Sequence, residues 1–446
     1  MIGIVADDLN SNTMIDAVSA PSLTYFSMSL TLAFAVTLMS SMLLKFWLST
    51  RQMRHVALHR SAVPAVFANR ITLAAHQKAA DYTLAQGKLG MLELAWGTAW
   101  TLGWTLMGGL SWLNQALLQW MPAGIAQQVA LLAAFAVMGS IIDIPLAVYR
   151  TFVLEQRFGF NKTSLSLWLK DLGKSAVLSL SVGLPIAALV LWVMGTTGPL
   201  WWLWTWAVWM AFNLLVLLVY PAWIAPWFNK FQPLEDPELK DRVTKLMARC
   251  GFTSKGFYVM DGSRRSAHAN AYFTGFGASK RVVFYDTLLA QLSAAEVDAV
   301  LAHELGHFKH KHIVKRIVST FALSLAGFAG LGWVSQQVWF YTGLGVTPNM
   351  TGPNDALALL LFMVVMPLAG TFIGPLFAQL SRKHEFEADA YAVAQTSGAD
   401  LSSALLKLYQ DNASTLTPDP IYVKFYYSHP PASERLGRML QPVRQP

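Results

Sequence analysis

The segment His303-Glu304-Leu305-Gly306-His307 places two imidazoles and a carboxylate within about one helical turn. Histidines four residues apart on a helix lie on the same face and can bind one metal ion through their ring nitrogens. The glutamate between them can act as a general base toward a water molecule at that metal. The segment therefore predicts a zinc hydrolase site, with His303 and His307 as metal ligands and Glu304 as the catalytic base.

The residues around this segment predict that it lies on a well-formed helix. Ser293 and Glu296 fit a capping box, and apolar residues follow at helical spacing at Val297, Leu301 and Leu305. Four basic residues come directly after the motif and argue against its burial in lipid: Lys309, Lys311, Lys315 and Arg316. This context favours a metal site over the alternative, a solvated helix that carries two histidines and a glutamate without a function.

A catalytic zinc site needs a third protein ligand and one open position. The best candidate lies in residues 381–389, where Glu385 and Asp389 share a helical face. Glu385 can complete a His-His-Glu set, and Asp389 can accept a hydrogen bond from a ligand histidine and fix its tautomer. We expect Glu387 and the competing ligand His384 to point away from this face. Taken alone, the stretch also fits a charged helix beside the membrane, but the zinc motif favours the ligand interpretation.

The composition indicates a membrane protein. Of the 446 residues, 54% are hydrophobic and 13% are charged, and the mean hydropathy is +0.40. A soluble globular protein carries about 25% charged residues. Seven apolar runs reach the length of about 20 residues that a membrane helix needs: 23–48, 91–113, 127–149, 175–197, 200–222, 317–340 and 356–380. The predicted fold class is an α-helical multi-pass membrane protein with seven transmembrane helices.

Two polar stretches flank the sixth and seventh apolar runs, and each carries one part of the zinc site. We therefore expect them to fold together as a small α+β zinc metalloprotease domain that is split around helices six and seven. The predicted organisation is a membrane region with helices one to five (1–223), a protease subdomain with the zinc motif (224–312), helices six and seven (313–380) and a C-terminal part with the third ligand (381–446).

Short strands are predicted in the first polar stretch at 256–260, 269–273 and 280–285, where β-branched and aromatic residues cluster. A strand with a free edge beside a protease site can hold an extended peptide through backbone hydrogen bonds. A small hairpin that only supports the metal-site helix fits the same residues. The sequence leaves both interpretations open.

The charges of the loops predict the orientation in the membrane. Lys and Arg are frequent in the segments 49–90 and 150–174, and they are absent from the alternate loops 114–126, 196–199 and 341–355. The positive-inside rule then places the N-terminus outside and both the C-terminus and the zinc site on the cytosolic side. The net charge of +8 suits contact with anionic lipid, so no nucleic-acid partner is needed to explain it.

The termini favour a bacterial inner membrane over the endoplasmic reticulum. The first 22 residues contain no Lys or Arg, unlike a cleavable signal peptide, and Val443-Arg444-Gln445-Pro446 is not a usual retrieval signal. Nothing in the sequence indicates an oligomeric state. Within the predicted spans, Glu93 and Asp143 should face a protein interior or a water-filled space, because charge is costly in lipid.

Several further motifs accompany the zinc motif along the chain: Thr151-Phe152-Val153-Leu154-Glu155, Gly159-Phe160-Asn161, Tyr220-Pro221-Ala222-Trp223-Ile224-Ala225-Pro226, Ser266-Ala267-His268-Ala269-Asn270-Ala271-Tyr272-Phe273, Phe386-Glu387-Ala388-Asp389-Ala390, Tyr427-Ser428-His429-Pro430-Pro431 and Glu434-Arg435-Leu436. With these motifs, the chain resembles the type I CaaX prenyl proteases, which are integral-membrane zinc endopeptidases that process farnesylated proteins. The resemblance spans nearly the whole chain.

The resemblance implies seven membrane helices around a large hydrated chamber, with one zinc ion at its cytosolic end. It implies that His303, His307 and Glu385 are the zinc ligands and Glu304 the general base. Asn270, Ala271 and Tyr272 would hold the substrate strand. His429 and Arg435 would contact substrate near the metal, and His429 would also be a catalytic group. The implied substrate is a membrane-associated or lipidated CaaX-type peptide.

Two other functions are consistent with parts of the sequence. An intramembrane zinc protease of the site-2 type carries its zinc motif within an apolar span, whereas here a capped and charged helix carries it. A receptor or transporter with seven spans would suit Glu93 and Asp143, but it leaves the zinc motif without a role.

Overall fold

The computed structural model describes residues 20–253, 256–274 and 281–440. Residues 1–19 and 441–446, to which the predictions about a signal peptide and a retrieval signal refer, lie outside these ranges. So does Lys280, the first residue of the third predicted strand. The described chain is mainly helical, as predicted, with one small sheet.

The first half of the chain is built from helices, all of them long except the short α5 and α9: α1 (Ala20–Leu58), α2 (Leu73–Trp104), α3 (Gly109–Trp120), α4 (Ile125–Tyr149), α5 (Gln156–Phe158), α6 (Leu165–Leu178), α7 (Leu184–Thr196), α8 (Trp201–Val219) and α9 (Ala225–Phe228). Three π-helical segments connect members of this set, at Arg150–Glu155, Ser179–Gly183 and Tyr220–Ile224. Because the π-helical turns do not interrupt the helical path, α4 with α5, α6 with α7, and α8 with α9 each form a long continuous rod.

The second half combines four strands with nine helices in the described residues: β1 (Phe231–Pro233), α10 (Pro237–Arg249), β2 (Gly256–Met260), β3 (Ala271–Thr274), β4 (Arg281–Tyr285), α11 (Asp286–Gln291), α12 (Ala294–Lys309), α13 (His312–Val334), α14 (Val338–Gly343), α15 (Asp355–Gln395), α16 (Gly398–Asp411), α17 (Pro420–Tyr426) and α18 (Ala432–Met439). The predicted metal motif therefore lies on α12, and the predicted third ligand lies on α15.

Six helices of the described chain are long and apolar enough to cross a membrane: Leu23–Leu58, Ile125–Phe158, Leu165–Thr196, Gly198–Phe228, His312–Val334 and Asp355–Gln395. The run 91–113, predicted as the second of seven spans, is not among them. The structure breaks this run, because α2 ends at Trp104 and α3 begins at Gly109 after a turn in which Gly108 has a φ of 80°. Hydropathy alone does not reveal such a turn, and Glu93 lowers the hydropathy of the segment before it.

The last long helix links the apolar and the catalytic parts of the chain. α15 runs for 41 residues from Asp355 to Gln395, so the predicted domain boundary at 380–381 falls inside one helix. The other predicted boundary, at 312–313, falls at the first turn of α13. The two polar stretches nevertheless share one hydrophobic core, which contains Val243, Leu288, Leu305, Leu405 and Leu436.

The sheet has the strand order β1-β2-β4-β3. β2 and β4 are parallel, and both outer pairs are antiparallel. Tyr272 of β3 pairs with Val283 of β4, which leaves β3 at an edge of the sheet as far as the described residues extend. β3 contacts α12, so this edge lies beside the helix that carries the zinc motif. Asn270 lies one residue before β3 and outside the strand.

Candidate active site

The helix α12 presents the predicted motif, and its first turn is fixed as predicted. The Ser293 hydroxyl accepts a hydrogen bond from the Glu296 backbone N–H at 3.4 Å, and Glu296 accepts one from the Ser293 backbone N–H at 2.7 Å. Glu296 also accepts hydrogen bonds from Ser403 and Lys407 of α16, each at 2.7 Å. Burial alone would raise the pKa of Glu296, but these hydrogen bonds outweigh it and lower the pKa to about 2. The start of α12 is thus bound to α16.

The two motif histidines and the predicted third ligand converge at one point. His303 Nε2 lies 3.2 Å from His307 Nε2 and 3.4 Å from Glu385 Oε2, and His307 Nε2 lies 3.4 Å from Glu385 Oε1. Ligand atoms about 2.0–2.1 Å from one ion in a tetrahedral arrangement lie about 3.3–3.4 Å from each other. The buried Glu385 Oε2 has no hydrogen-bond partner. Spacing, donor types and this unsatisfied oxygen fit a metal ion held by the three residues.

Asp389, predicted to fix the tautomer of a ligand histidine, lies behind His303. Asp389 Oδ1 is 2.9 Å from His303 Nδ1, and Asp389 itself is buried. A proton on His303 Nδ1 leaves the Nε2 lone pair free to face Glu385. Asp389 therefore orients one of the two imidazoles of the cluster.

Arg435, predicted to contact substrate near the metal, lies against Asp389 in the structure. Its Nε donates to Asp389 Oδ2 at 2.8 Å and its Nη2 to Asp389 Oδ1 at 2.6 Å. Its Nη1 lies 4.0 Å from Glu385 Oε2. The arginine is 7% exposed, and a buried guanidinium requires a carboxylate partner. Arg435 thus holds Asp389, which in turn orients His303.

Glu304 lies on α12 between the two histidines and is half-buried. Burial raises the pKa of its carboxyl group, and the neighbouring His303 and His307 partly oppose this rise. A bound cation would also oppose the rise, because it stabilises the anion. A carboxyl group with its pKa moved toward neutrality is suited to exchanging a proton with water.

His429 lies at the open side of the cluster. Its Nε2 is 3.3 Å from Glu385 Oε1, and its side chain is 64% exposed. A hydrogen bond of 3.0 Å joins its Nδ1 to the hydroxyl of Ser428. His429 is therefore close to the cluster and also accessible to a ligand.

The predicted substrate-strand residues lie near the free edge of β3. The Asn270 side chain is exposed, and its Oδ1 accepts a hydrogen bond of 2.8 Å from the Ala271 backbone N–H. The Asn270 carbonyl accepts one of 3.0 Å from the Tyr285 backbone N–H. Tyr272 is partly buried, with its ring 6.2 Å from that of Tyr285.

A cavity of about 1010 Å³ reaches from His429 into the helical region. Glu93 of α2 lines it and accepts hydrogen bonds of 2.6 Å from Arg150, in accordance with the prediction that Glu93 faces protein or water. Asp143, by contrast, occupies an exposed position on α4. Five tyrosines contribute to the same cavity: Tyr82, Tyr409, Tyr422, Tyr426 and Tyr427.

One neighbour of the cluster was missed by sequence reasoning. His312 Nδ1 lies 3.0 Å from His307 Nδ1, and His312 Nε2 lies 2.8 Å from Glu387 Oε2. His312 follows His307 by five residues, outside the spacing of three or four that places side chains on one helix face, and it lies within a run of basic residues that indicates only charge. Glu387 points away from the cluster, as predicted, and toward His312.

An apolar helical scaffold that carries two histidines, a glutamate and an adjacent carboxylate base defines a membrane metallopeptidase. Residues 52–230 match the family described as CAAX prenyl protease N-terminal, five membrane helices, and residues 233–443 match peptidase family M48. The chain belongs to the CAAX prenyl proteases of peptidase family M48. The family resemblance inferred from the sequence is thereby confirmed, and the receptor, transporter and site-2 alternatives are set aside.

Individual relatives agree with this assignment. The chain is 37% identical over 316 residues to CAAX prenyl protease 1 homolog of Arabidopsis thaliana, covering 70% of this chain and 73% of that protein. It is 36% identical over 330 residues to CAAX prenyl protease 1 of Saccharomyces cerevisiae, covering 71% of this chain and 72% of that protein. The crystal structure of S. mikatae Ste24p matches with a TM-score of 0.85 at 30% identity, covering 92% of this chain and 99% of that one.

Proposed function

We propose that this chain is a zinc endopeptidase that hydrolyses peptide bonds of membrane-associated or lipidated CaaX-type peptides. The observation that carries the proposal is the convergence of His303, His307 and Glu385, with ligand atoms 3.2–3.4 Å apart, on the helix face next to Glu304. Among divalent metals, zinc suits a set of two imidazoles and one carboxylate with an open position. When bound, zinc would supply Lewis-acid activation of water and of the peptide carbonyl.

The side chains around the cluster have separate roles in the reaction. Glu304 takes a proton from the attacking water and passes it to the leaving amine, for which its raised pKa is suited. Asp389, held by Arg435, keeps His303 oriented. His429, exposed and 3.3 Å from Glu385, donates a hydrogen bond to the oxyanion that develops during the attack.

The substrate class rests on two features beside the cluster. The relatives named CAAX prenyl proteases indicate a lipidated C-terminal peptide. The edge strand β3, with Asn270, Ala271 and Tyr272 at its start, can bind an extended peptide through backbone hydrogen bonds. The cavity that reaches His429 carries both apolar and polar groups, which suits a peptide with a lipid attached.

The proposed membrane arrangement has seven spans around a hydrated chamber, with α2 as the seventh span. α2 contains 32 residues and is therefore about 48 Å long, enough to cross a bilayer. Glu93 lines the cavity and forms an ion pair with Arg150, which offsets the cost of a charge in this helix. The basic loops support a cytosolic position of the cluster, and the shared core of the two polar stretches supports a split protease domain.

The experiment uses the purified full-length protein in detergent with a farnesylated CaaX peptide and its unprenylated counterpart. We expect about one zinc ion per chain and cleavage of the farnesylated peptide. Glu304→Gln should keep the zinc and lose about 10²- to 10⁴-fold in rate, whereas Glu434→Gln, an exposed control on α18, should resemble wild type. Near-full activity of Glu304→Gln would refute the mechanism, and equal cleavage of both peptides would refute the requirement for the lipid.

A further inference from the structure

The first residue of α13, His312, lies directly behind the ligand His307. Lys311 between the two helices has a φ of 56° and a ψ of 33°, a left-handed conformation that non-glycine residues rarely adopt. This turn ends α12 and brings the His312 ring to His307, with 3.0 Å between their Nδ1 atoms. His312 is 4% exposed, so no bulk water competes for this contact.

The hydrogen bonds around His312 define its protonation pattern. An ionised carboxylate only accepts hydrogen bonds, so the 2.8 Å contact with Glu387 places the His312 proton on Nε2. Nδ1 of the neutral ring then carries a lone pair and accepts from His307 Nδ1–H. This leaves the Nε2 lone pair of His307 facing Glu385 Oε1 at 3.4 Å. The opposite pattern would put a proton on His307 Nε2 and block a metal ion.

We propose that Glu387 and His312 form a positioning relay that fixes the tautomer and ring orientation of His307. The inference rests on the proposed ligand set and adds two residues to it. The two ligand histidines are then held in different ways: His303 contacts the carboxylate of Asp389 directly, whereas His307 reaches a carboxylate through a second imidazole. Neither His312 nor Glu387 contacts the reacting groups, so both are positioning residues.

A second cation held by His312, His384 and Glu387 is the rival interpretation, since their ligand atoms lie within 4.8 Å of one another. The rings of His312 and His384 are stacked, with centroids 4.0 Å apart and planes 13° from parallel. Because imidazole lone pairs lie in the ring plane, stacked rings do not direct them to a common point. The geometry therefore favours the relay.

The test compares two replacements of His312, each of which keeps one of the two hydrogen bonds of the relay. In His312→Asn, the amide oxygen lies near the former Nδ1 and can accept from His307. In His312→Gln, the longer amide reaches toward Glu387 and leaves His307 without its acceptor. We expect His312→Asn to bind zinc about as tightly as wild type, and His312→Gln to bind it about 10- to 100-fold more weakly. If His312 only filled space, the variant with the larger glutamine would bind zinc more tightly than the asparagine variant, or both would bind it equally.

Changes at Glu387 provide a second comparison in case the His312 variants do not fold. Glu387→Gln keeps an oxygen that accepts from His312 Nε2–H and should retain most of the affinity, whereas Glu387→Ala should lose about 10- to 100-fold. His310→Ala is the control, because His310 stacks near His312 at 5.5 Å but takes no part in the hydrogen bonds from Glu387 to His307. Zinc affinity is measured by chelator competition, and the visible spectrum of the cobalt-substituted protein reports the ligand geometry.

The outcomes separate this inference from the function on which it rests. If His307→Ala still binds zinc like wild type, the ligand set itself is wrong. If His307→Ala loses zinc but every His312 and Glu387 variant keeps wild-type affinity and cobalt spectrum, the relay is refuted. The relay is also refuted by two zinc ions per chain, of which His384→Ala loses one, because the cluster would then be a metal site.

Discussion

Gly306 lies against the backbone of Ala388, and this contact sets the distance between the two helices that carry the metal cluster. A Cβ atom on Gly306 would lie 2.9 Å from Ala388 Cα and 3.1 Å from its carbonyl oxygen. Gly306 precedes His307 on α12, and Ala388 precedes Asp389 on α15. The absence of a side chain at Gly306 therefore lets the two motifs approach closely enough for Glu385 to reach both histidines.

Gly306→Ala should disrupt the cluster although alanine favours a helix by about 1 kcal/mol. The added methyl group meets backbone that cannot rotate away, and such overpacking costs about 1–3 kcal/mol. We expect a lower Tm and weaker zinc binding, measured by thermal unfolding in detergent and chelator competition. Gly330→Ala on α13 is the matched control, since a Cβ there meets nothing within 4 Å. Wild-type zinc affinity in Gly306→Ala would contradict the close-approach argument.

Arg435→Lys should weaken zinc binding even though it keeps the positive charge. Lysine cannot reproduce the two hydrogen bonds that the guanidinium donates to Asp389, and Asp389 would then lose part of its hold on His303. We expect zinc affinity to fall about 10- to 100-fold, as for other residues that orient a ligand. The family resemblance instead implies a substrate contact for Arg435. An unchanged zinc affinity with a raised KM would support that earlier role.

The sequence indicates which side chains of the cluster share a helix face, because these residues follow local helical spacing. His303 with His307, and Glu385 with Asp389, are each four residues apart, and each pair lies on one face of an observed helix. The role of His312 could not be predicted in this way. It depends on a left-handed turn at Lys311, a conformation that a lysine does not signal, and on the approach of α15.

The partner of Arg435 and the break in the second apolar run depend on tertiary structure in a similar way. Arg435 and Asp389 are 46 residues apart, and only the packing of α18 on α15 joins them. The run 91–113 is apolar across the turn at Gly108, so its hydropathy does not show the helix end at Trp104, and the pair Gly108-Gly109 is the only local sign of it. Sequence patterns locate the elements, while their contacts determine which side chains meet.

Glu296 should make the stability of the protein depend on pH. Its pKa is lowered to about 2, compared with about 4.3 in an unfolded chain, by its bonds to Ser293, Ser403 and Lys407. A lowered pKa stabilises the fold by its full amount at pH values above the pKa of the unfolded chain, and this contribution disappears as the pH falls toward 2. Glu296→Gln should thus lower the Tm at pH 7, and the difference from wild type should shrink between about pH 5 and pH 2. A difference that stays constant with pH would assign the effect to packing.

Cysteine labelling in membrane vesicles tests whether α2 crosses the membrane. With the buried Cys250 replaced, cysteines at the exposed positions Leu58 and Glu434 should be labelled from the cytosolic side. Cysteines at Trp120 and Met350, which are 87% and 85% exposed, should be labelled from the opposite side. If Leu58→Cys and Trp120→Cys react from the same side, α2 does not span and the count of seven is wrong.

His429→Ala should reduce catalysis without removing the metal. His429 is exposed and 3.3 Å from Glu385, so its loss leaves the three ligands and the core unchanged. A donor that acts on the transition state typically contributes about 2.7–4 kcal/mol, which corresponds to about 10²- to 10³-fold in kcat. We expect this loss with normal zinc content, and a smaller effect for Ser428→Ala, which removes only the hydroxyl bonded to His429 Nδ1.

Asn270→Ala should separate peptide binding from chemistry, because Asn270 lies directly before an edge strand and not in the cluster. If β3 holds the substrate in an extended form, the variant should raise KM for a model peptide and leave kcat and zinc content near wild type. His59→Ala, a change at another exposed residue, controls for a general effect of surface substitutions. Wild-type kcat/KM in both His429→Ala and Asn270→Ala would mean that the peptide approaches the cluster from a different side and that the edge of β3 serves only to support α12.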